Sequence, residues 1–395
     1  MSLALSGLRI WDGTSDALGP ERATLRTAGD RILAIGPGLD PGPDDETIAL
    51  DGATALPGLI DAHVHLTLDP AIRTPAEQLA VSPEALFAGM AARARAMLEA
   101  GITTARDLGG GAWRELELRD RIAAGELAGP RLLCAGQPVT SPKGHCWFWG
   151  GEARGEAEVR DVVRRQVARG ADWIKVMATG GVLTEGTRPS EPQFEQHELD
   201  ALVAEARARG RHTAAHCHGT SGIERAALAG ARTIEHCSFA DEQGFGSLPS
   251  PELVAILARS GAYVSPTVNT GFARFFAEDG TPGKFATRMR AAYTSLRQAG
   301  VPFIASTDAG IPGVAHDRLP AALALFARIA DMRPLDVLRA ATSQCARALG
   351  LEGVTGELRA GFAADVLVVD GNPLEDLSAL TRPLLVVARG RVARR

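Results

Sequence analysis

The chain has 395 residues, with 42 Lys or Arg against 47 Asp or Glu and so a formal charge of −5. That balance speaks against nucleic acid as a partner, because a phosphate lattice is met by clustered cations. With 45% apolar and 23% charged residues, and no apolar run of the roughly 18 residues a membrane span needs, membrane spanning and global disorder are both excluded.

Residues 1–56 read as short β pieces, Gly7–Asp12, Ala23–Arg26, Arg31–Ile35 and Thr47–Asp51, broken by turns such as Gly36-Pro37-Gly38. The opening MSLALSGLRI lacks the basic start and long apolar stretch of a secretory signal, so a cytoplasmic location is expected. From about residue 57, short apolar runs alternate with segments of helical period, the pattern of βα units and a parallel sheet. Strands are predicted at Leu56–His65, Ile102–Leu108, Arg131–Gln137, Trp173–Ala178, Thr213–His218, Thr233–Cys237, Tyr263–Val268 and Phe303–Thr307. Helices are predicted at Pro83–Glu99, Arg114–Ala124, Glu156–Ala168, Gln196–Ala208, Ser221–Ala229, Pro251–Ala258, Phe285–Gln298 and Leu319–Ala330. Several are followed by the glycine that suits a helix C-terminus: Gly101, Gly170, Gly210, Gly230 and Gly300. Eight such units over residues 57–355 predict an α/β fold, a (β/α)8 TIM barrel.

Two further strands are predicted beyond it, Ala364–Val369 and Leu384–Ala388, around the turn Asp370-Gly371-Asn372-Pro373. Neither end can bury a core alone, so residues 1–56 and 356–395 are expected to pair as one small β-sandwich domain. Five cysteines (Cys134, Cys146, Cys217, Cys237 and Cys345), an odd number without Cys-x-x-Cys spacing, fit reduced thiols.

His63 and His65 stand two apart at the end of the first predicted strand. A period of two points both imidazoles to one face, in a barrel the interior of the C-terminal mouth, where they offer half a coordination shell to a borderline cation such as Zn²⁺. Alone, His-x-His is a weak signal. It recurs at one structural level, however: His216 ends the fifth predicted strand, His236 the sixth and Asp308 the eighth. Lys175 lies inside the apolar fourth strand, where an ammonium must be paired, neutralised or chemically altered. Satisfied polar residues at a barrel rim explain each of these singly and the six together badly.

In this pattern the sequence resembles the amidohydrolase superfamily along its whole length. The family order of His-x-His after strand one, Lys on strand four, His on strands five and six and Asp on strand eight falls on His63, His65, Lys175, His216, His236 and Asp308. The stretch Lys175-Val-Met-Ala-Thr-Gly-Gly-Val-Leu, the His-Cys-His-Gly at 216–219 and the ending Gly361-Phe-Ala-Ala-Asp365 are similar to the imidazolonepropionase-like branch, which includes Xaa-Pro dipeptidases and ochratoxinase-like amidases. The resemblance implies two divalent ions, zinc being expected, bridged by N-carboxylated Lys175. It puts His63 and His65 on the more buried ion, His216 and His236 on the other, and Asp308 against the buried ion as the group that moves the proton from attacking water to departing amine.

His145 follows the third strand, in a loop where the branch usually carries a His, often after Gly-Gly rather than the Lys143-Gly144 found here. It is expected to donate to the substrate carbonyl or carboxylate. His218, one step beyond His216, is read either as a substrate or supporting residue or as a hydrogen-bonded rim residue. His197, His212 and His316 are read as structural or solvated, and Cys217 and Cys237 as packed outward into the helix layer.

Trp147, Phe148 and Trp149 after strand three, and Phe272, Phe275 and Phe276 after strand seven, fall in loops on the mouth side, as a lid or as apolar pocket walls, with Trp147 expected at the substrate. Arg154 is available to a polar end.

The expected activity is hydrolysis of a C–N amide bond in a small molecule, a dipeptide or N-acyl amino acid with an apolar or aromatic group, by a homo-oligomer. The rival readings are another electrophile at the same site (a lactone, carbamate, cyclic amide or phosphotriester) and a non-catalytic assembly protein on the same fold.

Overall fold

The computed structural model describes residues 2–395. Strands from both ends of the chain form one sheet. In spatial order they are Arg391–Arg394, Pro383–Ala388, Val366–Val369, Thr54–Pro57, Ser2–Ile10, Ala23–Ala28 and Arg31–Pro37, with Asp45–Ala49 also paired to Ser2–Ile10. Alternation explains its core: Leu3, Leu5, Leu25, Val366, Val368, Leu385 and Val387 are buried in one cluster.

Gly7, at φ +79°, and a register shift between Leu5 and Leu8 let Ser2–Ile10 change partners along its length. Its first half pairs with Ala23–Ala28 and Asp45–Ala49, and Arg9 and Ile10 pair with Thr54–Pro57. The predicted Leu56–His65 strand therefore divides. Thr54–Pro57 lies antiparallel to Val366–Val369, and a separate strand, Leu59–Val64, begins after Gly58. A Cβ at Gly58 would fall 2.1 Å from Thr103 Oγ1, so the turn needs glycine for close approach.

The central strands are parallel, in two sets: Leu59–Val64, Ile102–Asp107 and Arg131–Cys134, then Trp173–Met177, His212–Gly219, Thr233–Ala240 and Tyr263–Ser265. Single bridges adjoin them, Val139 to Val176 and Val264 to Phe303. The third and seventh strands end earlier than predicted because Gly136 (φ +74°) and Thr267 (φ +53°) turn left-handed, and Pro138 and Pro266 have no N–H for a ladder. The predicted eighth strand at 303–307 is reduced to the bridge at Phe303. Its backbone still bonds to both neighbours, Ile304 N to the Val264 carbonyl and Ala62 N to the Ala305 carbonyl, but other bonds interrupt a regular ladder: Ala305 N to the Ala340 carbonyl, Thr307 N to Asp61, and the Thr307 carbonyl to Asn269.

Helices cover the expected segments, and all five glycines named above take positive φ. Pro83–Glu99, capped by Ser82, buries Met90, Ala94 and Met97, one face at helical spacing. Pro334–Ala340 and Ser343–Leu349 are two helices the sequence reading did not predict. Among the described residues no helix is long and apolar enough to cross a membrane.

Candidate active site

The ends of the central strands gather the histidines. His63 Nε2 lies 3.2 Å from His65 Nε2, and Asp308 Oδ1 lies 3.2 Å from the first and 3.4 Å from the second. The opposite nitrogens are engaged: His63 Nδ1 is 3.0 Å from Glu235 Oε2 and His65 Nδ1 is 2.7 Å from the Gly109 carbonyl. With Nδ1–H donating in each case, two Nε2 lone pairs and a carboxylate oxygen converge on one point. Such a donor set suits a divalent cation.

His216, His218 and His236 form a second group whose ligand atoms lie within 4.8 Å of one another, as do those of His63, His65 and Asp308. The two groups adjoin, with the His63 and His236 rings 5.3 Å apart, and the His145 ring lies 4.6 Å from that of His216. Burial, reinforced by neighbouring cationic groups, pushes His216 and His236 well below the ordinary histidine range, His218 to about 3 and His145 to about 4. These imidazoles are therefore neutral at pH 7, the form that binds metal.

Lys175 is 1% exposed. Burial brings its ammonium down to about 8, although the Glu235 and Asp308 carboxylates pull the other way. Burial also works to raise Asp308, but His63 and His65 hold it well below the usual carboxylate range, so it is ionised. Its backbone is left-handed, φ +59°.

A buried charged network lies beneath these groups. Arg106 donates from Nη2 to Glu235 Oε1 at 2.7 Å and from Nε to the Ala62 carbonyl at 2.7 Å, and its guanidinium sits 4.4 Å from the Trp173 ring. Thr233 also donates its hydroxyl to Glu235. Glu235 and His236 are sequence neighbours that both serve this interior, because His236 is left-handed (φ +64°) and breaks the alternation of the strand. The sequence reading missed Arg106 and Glu235, although each is a charged residue within an apolar strand, the same signal that singled out Lys175. It also missed Asp61, buried and bonded to His63 N and to Thr307, and Asp107, which accepts from Leu66 N and Gly109 N and so fixes the loop that holds His65.

His145 is buried against Gly181, where a Cβ would fall 2.4 Å from the imidazole. Its Nδ1 has no protein partner among the described residues. His218 Nδ1 is 2.8 Å from Ser238 Oγ. His316 is buried, with Nε2 donating to the His65 carbonyl, whereas His197 and His212 are exposed. Cys217 and Cys237 lie in the main apolar core.

The two aromatic segments differ. The Trp149 ring is 5.4 Å from His65 and packs with Leu68, Cys146 and Met177, while Trp147 is 44% exposed at the rim. Phe272, Phe275 and Phe285 pack on one another, with Phe275 stacked on Phe285 and Phe272 edge-on, while Arg328 covers Phe276.

Residues 54–393 match the family model described as the amidohydrolase family. An ochratoxinase from Aspergillus niger is 31% identical over 366 residues, covering 84% of this chain and 73% of that protein. An imidazolonepropionase from Rubrobacter xylanophilus is 28% identical over 389 residues, covering 88% and 84%. The crystal structure of a Xaa-Pro dipeptidase with bound methionine in the active site superimposes with a TM-score of 0.84 at 29% identity, over 99% of each chain. The chain therefore belongs to the amidohydrolase family, in its imidazolonepropionase-like branch, and is a hydrolase acting on carbon–nitrogen bonds.

Proposed function

We propose that this chain is a binuclear metal-dependent hydrolase that cleaves the C–N amide bond of a dipeptide or N-acyl amino acid bearing an apolar or aromatic group. The observation that carries this reading is the pair of adjoining donor groups, His63/His65/Asp308 and His216/His236, with the buried Lys175 beside their carboxylates. In this reading zinc would be the resident metal, N-carboxylated Lys175 would help hold it as an anionic oxygen donor, and His218 stands close enough to His216 and His236 to serve the metal or the substrate. The names of the relatives, an ochratoxinase and a Xaa-Pro dipeptidase, support an amide substrate.

A pair of divalent ions supplies Lewis acidity toward a carbonyl oxygen and brings the pKa of water toward about 7. The protein's own groups do the rest. Asp308, ionised and 3.2 Å from His63 Nε2, takes a proton from the attacking water and returns it to the leaving amine. Neutral His145 donates an N–H to the carbonyl oxygen or substrate carboxylate as charge develops. Trp149, Leu68 and Leu183 offer an apolar wall, with Trp147 at its rim. Arg154, with Lys143 and Arg188, lines a polar cavity of about 270 Å³ beside Gly144 and Gly180, which Glu191 and Glu198 also line, and offers cations to the carboxylate end.

We read the two sets of parallel strands as one (β/α)8 barrel spanning 57–355, joined at Val139–Val176, extended at Val264–Phe303 and closed at Val64–Ala309, with 1–56 and 356–395 as its β-sandwich domain. The free, buried cysteines accord with a cytoplasmic protein. Metal analysis of the purified protein together with a panel of dipeptides and N-acyl amino acids tests the proposal. Two ions per chain and preference for Phe or Leu over Gly and charged side chains are expected. One ion or none per fully active chain overturns the binuclear site, and equal turnover of all side chains overturns the apolar pocket.

A further inference from the structure

The backbone of Thr267 is left-handed, φ +53°, a region that β-branched residues seldom occupy. Pro266 does not impose it, since a proline restricts the residue before it. The conformation is held from outside: Thr267 N donates to Ser306 Oγ at 2.9 Å, and Ser265 Oγ donates to the same oxygen at 2.8 Å. All three side chains are buried. A second latch lies beside it, where Asn269 Nδ2 donates to the Thr307 carbonyl at 3.1 Å. A sparsely populated conformation that its surroundings enforce in this way is characteristic of functional sites.

The turn brings Thr267 Oγ1 to 2.8 Å from His236 Nδ1. His236 is itself left-handed, and Tyr293 holds its carbonyl with a 3.0 Å hydrogen bond from the phenol, so the backbone and ring of this histidine are fixed from two different elements. With Nδ1–H donating to Thr267, Nε2 is the nitrogen left free in the group with His216 and His218.

We propose that Thr267, braced by Ser265 and Ser306, is a positioning residue that sets the tautomer and ring orientation of His236 for metal binding. The proposal rests on the metal reading above. It also explains why the segments after the seventh strand and before Asp308 are tied through hydroxyl groups: the ring of one donor group and the carboxylate of the other are placed by the same latch.

Three variants separate positioning from packing. Thr267→Val keeps the shape and loses the hydroxyl, Thr267→Ser keeps the hydroxyl, and Thr267→Gly relieves the left-handed backbone while losing the hydroxyl. In Zn²⁺ and Co²⁺ titrations against a chelator, Thr267→Val and Thr267→Gly are expected to weaken one of the two ions by roughly 10- to 100-fold and leave the other unchanged, with Thr267→Ser near wild type. In the metal-free protein, the ¹⁵N shifts of His236 are expected to report the Nδ1–H tautomer in wild type and Thr267→Ser, and its loss in Thr267→Val. Wild-type metal affinity in both Thr267→Val and Thr267→Gly, or an Nε2–H tautomer in the wild type, overturns the proposal. A wild-type protein that takes up no metal but shows the Nδ1–H tautomer overturns the metal reading and leaves the positioning of the ring standing.

Discussion

Asp61 and Thr307, 246 residues apart, are joined twice: the Thr307 hydroxyl donates to Asp61 Oδ2 at 2.6 Å and its backbone N–H to Oδ1 at 3.1 Å. Asp61 also accepts from His63 N at 3.2 Å, and Asp308 N donates to the His63 carbonyl at 2.9 Å. One buried carboxylate thus sets the spacing between the segment that carries His63 and the segment that carries Asp308. Burial raises Asp61 to about 7 against the pull of these same hydrogen bonds, so the arrangement depends on keeping all of them.

Thr307→Val should accordingly lose about 1–3 kcal/mol of stability, because it leaves a buried oxygen without its donor. Turnover should fall by roughly 10- to 100-fold through the displaced Asp308. Urea denaturation and steady-state kinetics check both effects, and Thr307→Ser should recover most of each.

Asp308→Asn should keep the fold and part of the metal while kcat falls by about 10² to 10⁴, since an amide cannot carry the proton. Near-normal turnover in that variant would place the base elsewhere.

Lys175→Ala should abolish activity and lower the metal content measured by elemental analysis. Short carboxylic acids such as acetate or propionate should partly restore turnover by supplying the missing anionic oxygen. An alanine variant with full metal and full activity is incompatible with a bridging lysine carbamate.

Glu115 offers a pH test outside the two donor groups. It is fully buried on helix Arg114–Ala123, and neither carboxylate oxygen has a partner among the described residues. Burial, aided by the nearby Asp107 carboxylate, raises it to about 8. The folded state therefore holds this proton more tightly than the unfolded state. Its contribution to stability is fully present below the unfolded carboxyl pKa, near 4.3, and is lost as pH rises toward about 8, at up to about 1.4 kcal/mol per pH unit. Glu115→Gln should flatten the decline between these limits in denaturation curves recorded across pH, and an unchanged slope would show that the carboxyl does not titrate in that range.

The order of the chemistry was legible along the chain. His63, His65, Lys175, His216, His236 and Asp308 stand out because each is a polar residue in or at the end of an apolar run, and the structure brings these segments together. Their supports were read less well, although Arg106 and Glu235 carry the same signal as Lys175. Strict alternation assigns Glu235 and His236 to opposite faces, and only the left-handed φ at His236 turns both inward. Leu56 and Pro57 were joined to the first central strand, because an apolar run does not reveal that a close approach at Gly58 divides it between two sheets.

By itself the sequence determined the α/β alternation, the helix ends at their glycines and the level at which the histidines and Asp308 recur, since periodicity and strand position are local properties. The tertiary structure alone decided which partner each side chain meets. It set Arg106 against Glu235, Thr267 against His236, Asp61 against Thr307, and His218 in one group with His216 and His236. A hydrogen bond between strands far apart in sequence depends on register and on single left-handed residues, which the surrounding fold imposes and no local pattern encodes.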